Sequence, residues 1–253
     1  VTVYFIGAGP GAADLITLRG ANVLSRCATC LYAGSLVPAE MLEHCPPGAV
    51  LIDSARMPLA DIVEHIAAAH RAGHDVARLH SGDPSLYSAV AEQIRALDAI
   101  GIDHVIVPGV PAFAAAAASL GRELTVPGVG QSLLITRVST LSTDMPDGET
   151  LAELAATRVT LALHLAAHRI EQVQADLVEH YGADCPCAVV AFASRDDEQI
   201  VRCTLADLAA RTTEAGIVRT AVVFVGRVLA ASGFPDSYLY SQARMTKVAG
   251  DGH

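Results

Sequence analysis

No apolar run in this 253-residue chain reaches the roughly 18 residues of a membrane-spanning helix. The longest candidate, FAAAAASL at 113–120, is short, alanine-rich and bounded by turn residues. Positive charge is scarce too: 17 Lys and Arg stand against 27 Asp and Glu, a net charge of −10. That balance excludes a broad nucleic-acid face, which needs a basic surface, and leaves open only a local cluster of cations. Tryptophan is absent and low-complexity sequence is scant, while 52% of the residues are hydrophobic. The composition is that of a compact, enzyme-like chain, long enough for one large or two medium α/β domains. No basic segment precedes the first apolar run, VTVYFI, so the start does not read as a signal peptide and a cytoplasmic protein is expected.

Metal-site patterns are incomplete as well. Cys27-Ala-Thr-Cys30 is a CxxC, but a structural zinc site needs a second close pair, and Cys185-Pro-Cys187 has the wrong spacing. Cys30 enters the apolar run TCLYA, where a small buried thiol packs well, so reduced structural thiols are expected. His70/His74 and His164/His168 are each four apart. Gly73 interrupts the first pair, the second straddles a strand end, and no HExxH occurs, so no metal is expected.

What the chain does have is alternation. VTVYFI (1–6), TCLYA (29–33), AVLID (49–53), VARLH (76–80) and HVIV (104–107) are short and β-rich. LADIVEHIAAAHRAG places Leu59, Ile62, Val63 and Ile66 on one helical face, with Gly73 as a stop, and SLYSAVAEQIRALDAIG (85–101) repeats the pattern. Strands separated by helices predict parallel pairing with right-handed crossovers, hence an open, mostly parallel α/β domain over residues 1–125. TVPGVGQS (125–132) reads as a linker. Beyond it LLITRV (133–138), VTLALHL (159–165), CAVVAFA (187–193), QIVRC (199–203) and TAVVFVGRVL (220–229) are strand-like, and HRIEQVQADLVEHYG (168–182) is an amphipathic helix. Only SRDDE separates the runs at 187–193 and 199–203, which suits an antiparallel hairpin and predicts a second α/β domain, with a mixed sheet, over 133–253.

GAGPG, at 7–11, sits between the first strand and a helix and raises the question of a nucleotide. Gly7, Gly9 and Ala12 fit the spacing of a dinucleotide fingerprint, a weak match alone. Such a site also needs a carboxylate about 20 residues on to hold a ribose, and none occurs between Asp14 and Glu40. Pro10 removes a backbone donor that a pyrophosphate would use. A nicotinamide-dependent dehydrogenase is therefore the disfavoured alternative. Gly82-Asp83-Pro84 lies where another strand meets a helix, with Asp83 placed as N-cap and Pro84 as first helical residue. Its position at the carboxyl end of a central strand is also where open α/β sheets bind ligands.

Taken in order, YFIGAGPGAADLITLRG, YAGSLVP (32–38), RLHSGDPSLY, VPGVPAF with LGRELTVP, TLADLA (204–209) and TAVVFVGRVL resemble the tetrapyrrole methyltransferases of the cobalamin and sirohaem pathways. YAGSLVP and LTVPGVGQSLLITRV point to the branch acting on corrin precursors. The resemblance implies two α/β domains with the active site in the cleft between them. It implies S-adenosylmethionine as methyl donor, S-adenosylhomocysteine as product, and a homodimer. Carried over by motif, Pro10, Ser81, Gly82, Asp83, Pro111, Ala112, Leu165, Ala166, Ala193, Thr220 and Ala221 would line the donor site. Pro111, Ala112 and Leu165 depart mildly from the family's pattern, so main-chain contacts are expected there rather than side-chain ones.

Transfer from a sulfonium to carbon needs positioning more than a general base, which suits a sequence without a nucleophile–base constellation. The substrate implied is a large polycarboxylate, so cations should gather at the site despite the acidic chain. Arg78, His80, Arg122 and Arg137 are candidates, each arginine equally readable as a solvated surface residue, with Tyr32 and Ser35 placed to orient the macrocycle. A non-catalytic tetrapyrrole carrier is a further alternative. Ribosomal RNA or diphthamide methylation, also served by this fold, is disfavoured for RNA by the missing basic face.

Overall fold

The computed structural model describes residues 1–34, 36–139, 143–240 and Arg244. It divides into two compact units: Val1–Ala115 with Phe192–Asp197, and Ala116–Ala191 with Glu198–His253.

In the first unit, β1 (Val3–Gly7), β2 (Thr29–Tyr32), β3 (Val50–Asp53), β4 (Val76–His80) and β5 (His104–Val107) form a parallel sheet in the order β3-β2-β4-β1-β5. β4 is buried along its whole length, whereas the edge strand β3 leaves Val50 and Leu51 exposed. The helices are α1 (Leu18–Leu24), α2 (Leu59–Arg71), α3 (Val90–Ala99) and α4 (Ala112–Leu120). Alternating strand residues feed two cores. Ile6, Ala77, Leu79 and Val107 pack with Val23 and Leu24 of α1. Phe5, Leu31 and Val76 pack with Ile62 and Ile66 of α2 and with Val90 and Leu97 of α3. The neighbours β1 and β4 thus send their following helices to opposite faces, which opens a crevice at their carboxyl ends.

In the second unit, β6 (Leu133–Arg137), β7 (Thr160–His164), β8 (Pro186–Ala191), β9 (Gln199–Thr204) and β10 (Ala221–Val225) run in the order β6-β7-β10-β8-β9. β6 and β7 are parallel and the other pairings antiparallel, so this sheet is mixed as expected. The helices are α5 (Leu151–Ala155), α6 (Ile170–Tyr181) and α7 (Leu208–Glu214). Two of these, α5 and α7, carry no periodicity long enough to predict. α5 is started by a capping box in which Thr150 and Glu153 satisfy each other's backbone N–H. α6 buries Ile170, Val173 and Leu177 on one face.

Most expected elements lose a residue or two at their ends, and two differ more substantially. The run 220–229 ends at Val225, because Gly226 adopts φ 155° with Thr160 Cα 3.1 Å from where its Cβ would lie. The helix expected from 85 begins at Val90, after Tyr87 and Ala89 have taken left-handed φ values of 53° and 51°. Asp83 is therefore not the N-cap and Pro84 is not the first helical residue. Among the described residues no helix is long and apolar enough to cross a membrane.

Burial on α6 sets a stability contrast. Leu177 is fully buried and Val178, its neighbour, is 37% exposed. Leu177→Ala should lower unfolding free energy by about 3 kcal/mol, and Val178→Ala by less than about 1 kcal/mol. Urea unfolding of both variants checks this.

Candidate functional site

The glycines of GAGPG are required by backbone packing. A Cβ on Gly7 would lie 2.5 Å from Gly109 Cα and 2.7 Å from the Gly82 carbonyl oxygen, and one on Gly109 would collide with that same oxygen. Gly9, at φ 81°, and Gly82 exchange hydrogen bonds: Gly82 N donates to Gly9 O at 2.7 Å and Gly9 N to Gly82 O at 3.2 Å. Ala8 N donates to His80 O at 2.8 Å, and Ala12 N to the Ser194 hydroxyl at 3.0 Å. These amides are consumed within the protein, so the turn is no cradle for a pyrophosphate.

Asp83 is committed in the same way. Its Oδ2 accepts from Gly109 N at 2.7 Å, and its Oδ1 accepts from Ser85 N at 2.8 Å and from the Ser85 hydroxyl. Partial burial would raise its pKa, but the hydrogen bonds from Ser85 and Gly109 prevail and hold it below the usual carboxylate value. The carboxylate ties the loop after β4 to the loop after β5. Ser81, Gly82, Pro10 and Pro111 lie in the loops that follow β1, β4 and β5, Ala112 opens α4, and Ala193 belongs to the segment 192–197 of the same unit. Pro10, Gly82 and Ala193 are buried.

Beneath these loops Arg78 is 7% exposed, which removes the solvated reading. Its Nε donates to Gln93 Oε1 at 3.0 Å and its Nη1 to Ser54 Oγ at 2.7 Å. Ser54 Oγ passes the link to Tyr32 O at 2.9 Å, and Gln93 Nε2 donates to Ala89 O at 2.8 Å. One guanidinium thus fixes the end of β2 and the start of α3. Among the described residues no carboxylate pairs with it, and burial lowers its pKa to about 10, so it stays charged at neutral pH. His80, also 7% exposed, packs on Phe5 with ring centroids 5.8 Å apart. Burial first, and Arg78 second, push its pKa down to about 3. It is a neutral imidazole whose Nε2 has no partner among the described residues.

The second unit collects another set. Val223 pairs with Leu163 antiparallel, so β7 ends where β10 begins, and Leu165, Ala166, Thr220 and Ala221 share that sheet edge. Leu165 and Thr220 both adopt φ 52°, a left-handed conformation that costs a non-glycine residue about 1–3 kcal/mol. Leu165 is 53% exposed, while Ala166 beside it is fully buried. Arg137, paired in register with His164, is on the same edge. Its guanidinium is occupied by backbone carbonyls, at 3.2 Å to Val138 and 3.4 Å to Thr143 and Asp144. Arg122 is exposed, with Nη1 3.4 Å from Ala231 O. Tyr32 is half-buried, and Ser35 lies outside the described residues.

Cys27 and Cys30 are free and buried. Hydrogen bonding with Cys45, then burial, push the Cys30 thiol up, and burial pushes Cys27 up to about 12. Among the described residues no three His, Cys, Asp or Glu side chains come together as a metal site. Motif reading missed Ser54 and Gln93, which only their contacts with Arg78 reveal. It also missed Ser194 and Arg195, whose one sequence signal is the short SRDDE loop.

Gly109→Ala should cost about 3 kcal/mol, because backbone on both sides of the new methyl cannot move away; a denaturation midpoint equal to the parent's would contradict the close approach. His80 gives a pH signature. Its folded pKa, about 3, lies below the unfolded 6.5, so the unfolded chain binds more protons between those values. Stability is unaffected above pH 6.5 and falls on acidification below it, by up to about 1.4 kcal/mol per pH unit from this group. His80→Gln should flatten that slope in urea titrations at successive pH values.

Comparison with known proteins accords with this geometry. The model of the family described as Tetrapyrrole (Corrin/Porphyrin) Methylases matches residues 2–209. The chain is 63% identical over 244 residues to a precorrin-4 C(11)-methyltransferase of Rhodococcus erythropolis, covering 96% of this chain and 98% of that one. A solved cobalt precorrin-4 methyltransferase superposes with a TM-score of 0.87 at 37% identity, covering 90% of this chain and 95% of that one. A uroporphyrin-III C-methyltransferase of Thermus thermophilus, solved with S-adenosyl homocysteine, gives a TM-score of 0.77 at 26% identity, with 91% and 99% covered. The chain belongs to the tetrapyrrole (corrin/porphyrin) methylase family.

Proposed function

We propose that the chain is the S-adenosylmethionine-dependent C-methyltransferase that carries a methyl group to carbon 11 of precorrin-4, giving precorrin-5 on the way to the cobalamin ring. The observation that carries this reading is the 63% identity, over nearly the whole of both chains, to a relative bearing that activity in its name. A cytoplasmic homodimer belongs to the same reading.

The donor's residues are Leu165, Ala166, Thr220 and Ala221 at one sheet edge, and Pro10, Ser81, Gly82, Asp83, Pro111, Ala112 and Ala193 around the β1, β4 and β5 ends. The fit rests on backbone: Leu165 and Thr220 hold left-handed main chain at an exposed edge, next to the small buried Ala166, and Ala193 is a small buried residue of the first unit. When bound, the donor supplies an electrophilic methyl whose C–S bonding pair stays on sulfur as the new C–C bond forms. The protein's part is to position the partners, exclude water and keep nearby groups uncharged, which the neutral His80 serves. Asp83, with both oxygens in use, holds the platform in shape. A macrocycle at the carboxyl end of β2 would meet Tyr32, whose strand end Arg78 supports through Ser54.

A single turnover with carbon-13-methyl S-adenosylmethionine and precorrin-4, followed by carbon NMR, should put the label on carbon 11. Label at another ring carbon reassigns the position, and no transfer to either metal-free or cobalt-loaded substrate removes the activity.

A further inference from the structure

We propose that Arg195 is a carboxylate-binding residue of this site, presented by the segment 192–197 where it packs on the glycine-rich turn of the same unit. The seat is built from several independent contacts. Phe192 and Ser194 take left-handed φ values of 53° and 69°, which turns the hairpin loop, and the Ser194 hydroxyl accepts Ala12 N at 3.0 Å. The Arg195 stem occupies the space a Cβ on Gly11 would need, and the Ala193 carbonyl oxygen lies 2.9 Å from the same point. Glycine at position 11 leaves room for the Ala193 carbonyl and the Arg195 stem together.

The guanidinium is oriented on two sides. Its carbon sits 5.2 Å from the centroid of the Phe192 ring, and its Nε donates to Asp197 Oδ1 at 3.0 Å. The side chain is 36% exposed, and among the described residues neither terminal amino group donates a hydrogen bond. What remains is a planar fork of two N–H pairs, held in place by an aromatic face and a carboxylate, the geometry that takes a carboxylate bidentately. Arg78, buried and tied to Ser54 and Gln93, has no such freedom. Asp196 and Asp197 beside it add negative charge, so Arg195 recognises a carboxylate by directed hydrogen bonds at close range rather than by long-range attraction.

The inference rests on the methyl-transfer reading, which supplies two carboxylate sources: the amino-acid end of the donor and the side chains of the macrocycle. Full-length parent, Arg195→Met and Arg195→Lys are compared by calorimetry with S-adenosylhomocysteine and with 5′-methylthioadenosine, which lacks the carboxylate, and by steady-state methyl transfer to the tetrapyrrole. About ten-fold weaker S-adenosylhomocysteine binding by Arg195→Met, with methylthioadenosine unchanged, assigns the donor carboxylate. About a ten-fold rise in tetrapyrrole KM, with kcat and S-adenosylhomocysteine affinity kept, assigns the macrocycle. Lysine, a point charge, should recover part of either loss. Equal weakening of both nucleosides, or no change in any of the three, overturns the role. A parent enzyme that methylates no tetrapyrrole refutes the methyl-transfer reading instead. The calorimetric comparison then decides on Arg195 alone, and unchanged S-adenosylhomocysteine affinity in Arg195→Met counts against it.

Discussion

The contact between the backbones of Gly7, Gly82 and Gly109 is the constraint on which this molecule's functional end depends. Three parallel strands finish side by side there, and the loops after β1 and β4 head for opposite faces of the sheet while bonded to each other through Gly9 and Gly82. Side chains cannot fit where main chains touch, so the stretch most suggestive of a nucleotide is glycine-rich for the sake of the protein's own packing. Asp83 locks the same junction from the side through Gly109 N. The family membership and the crevice geometry are therefore compatible without any phosphate-binding role for GAGPG.

Below the junction lies a second layer with another logic. Arg78 is a buried cation satisfied by neutral oxygens, and its neighbour His80 is kept uncharged. Replacing such a charge with an apolar residue need not harm stability in itself. Its hydrogen bonds nevertheless reach Tyr32 and Ala89, each at the root of a loop, which ties loop geometry to one planar group. The layer above presents groups and the layer below holds their supports in register.

Much of the fold was legible because strand and helix periodicities are local. The runs at 76–80, 104–107 and 199–203 became β4, β5 and β9 almost residue for residue. The hairpin joined by SRDDE is antiparallel as its short loop demanded. The helix start at Asp83-Pro84 failed for an instructive reason: the pattern is a sound N-terminal signal, but the carboxylate found its partner at Gly109, 26 residues away. No window of neighbouring residues contains that competitor. Arg78 could be placed on a strand but not assigned a depth, because burial of an arginine depends on Ser54 and Gln93 arriving from separate elements. Local reading named the strand ends where loops gather; the long-range contacts decided which side chains there are already employed.

Residues 192–197 complete a unit otherwise made from the first 115 residues. The bond from Ala12 N to Ser194 spans 182 positions. During synthesis the glycine-rich turn is therefore made well before Ser194, the acceptor of its Ala12 N–H. The rim of the amino-terminal unit is completed only once the loop between β8 and β9 has been made. A chain cut after α4 would lack the segment 192–197 that belongs to this unit.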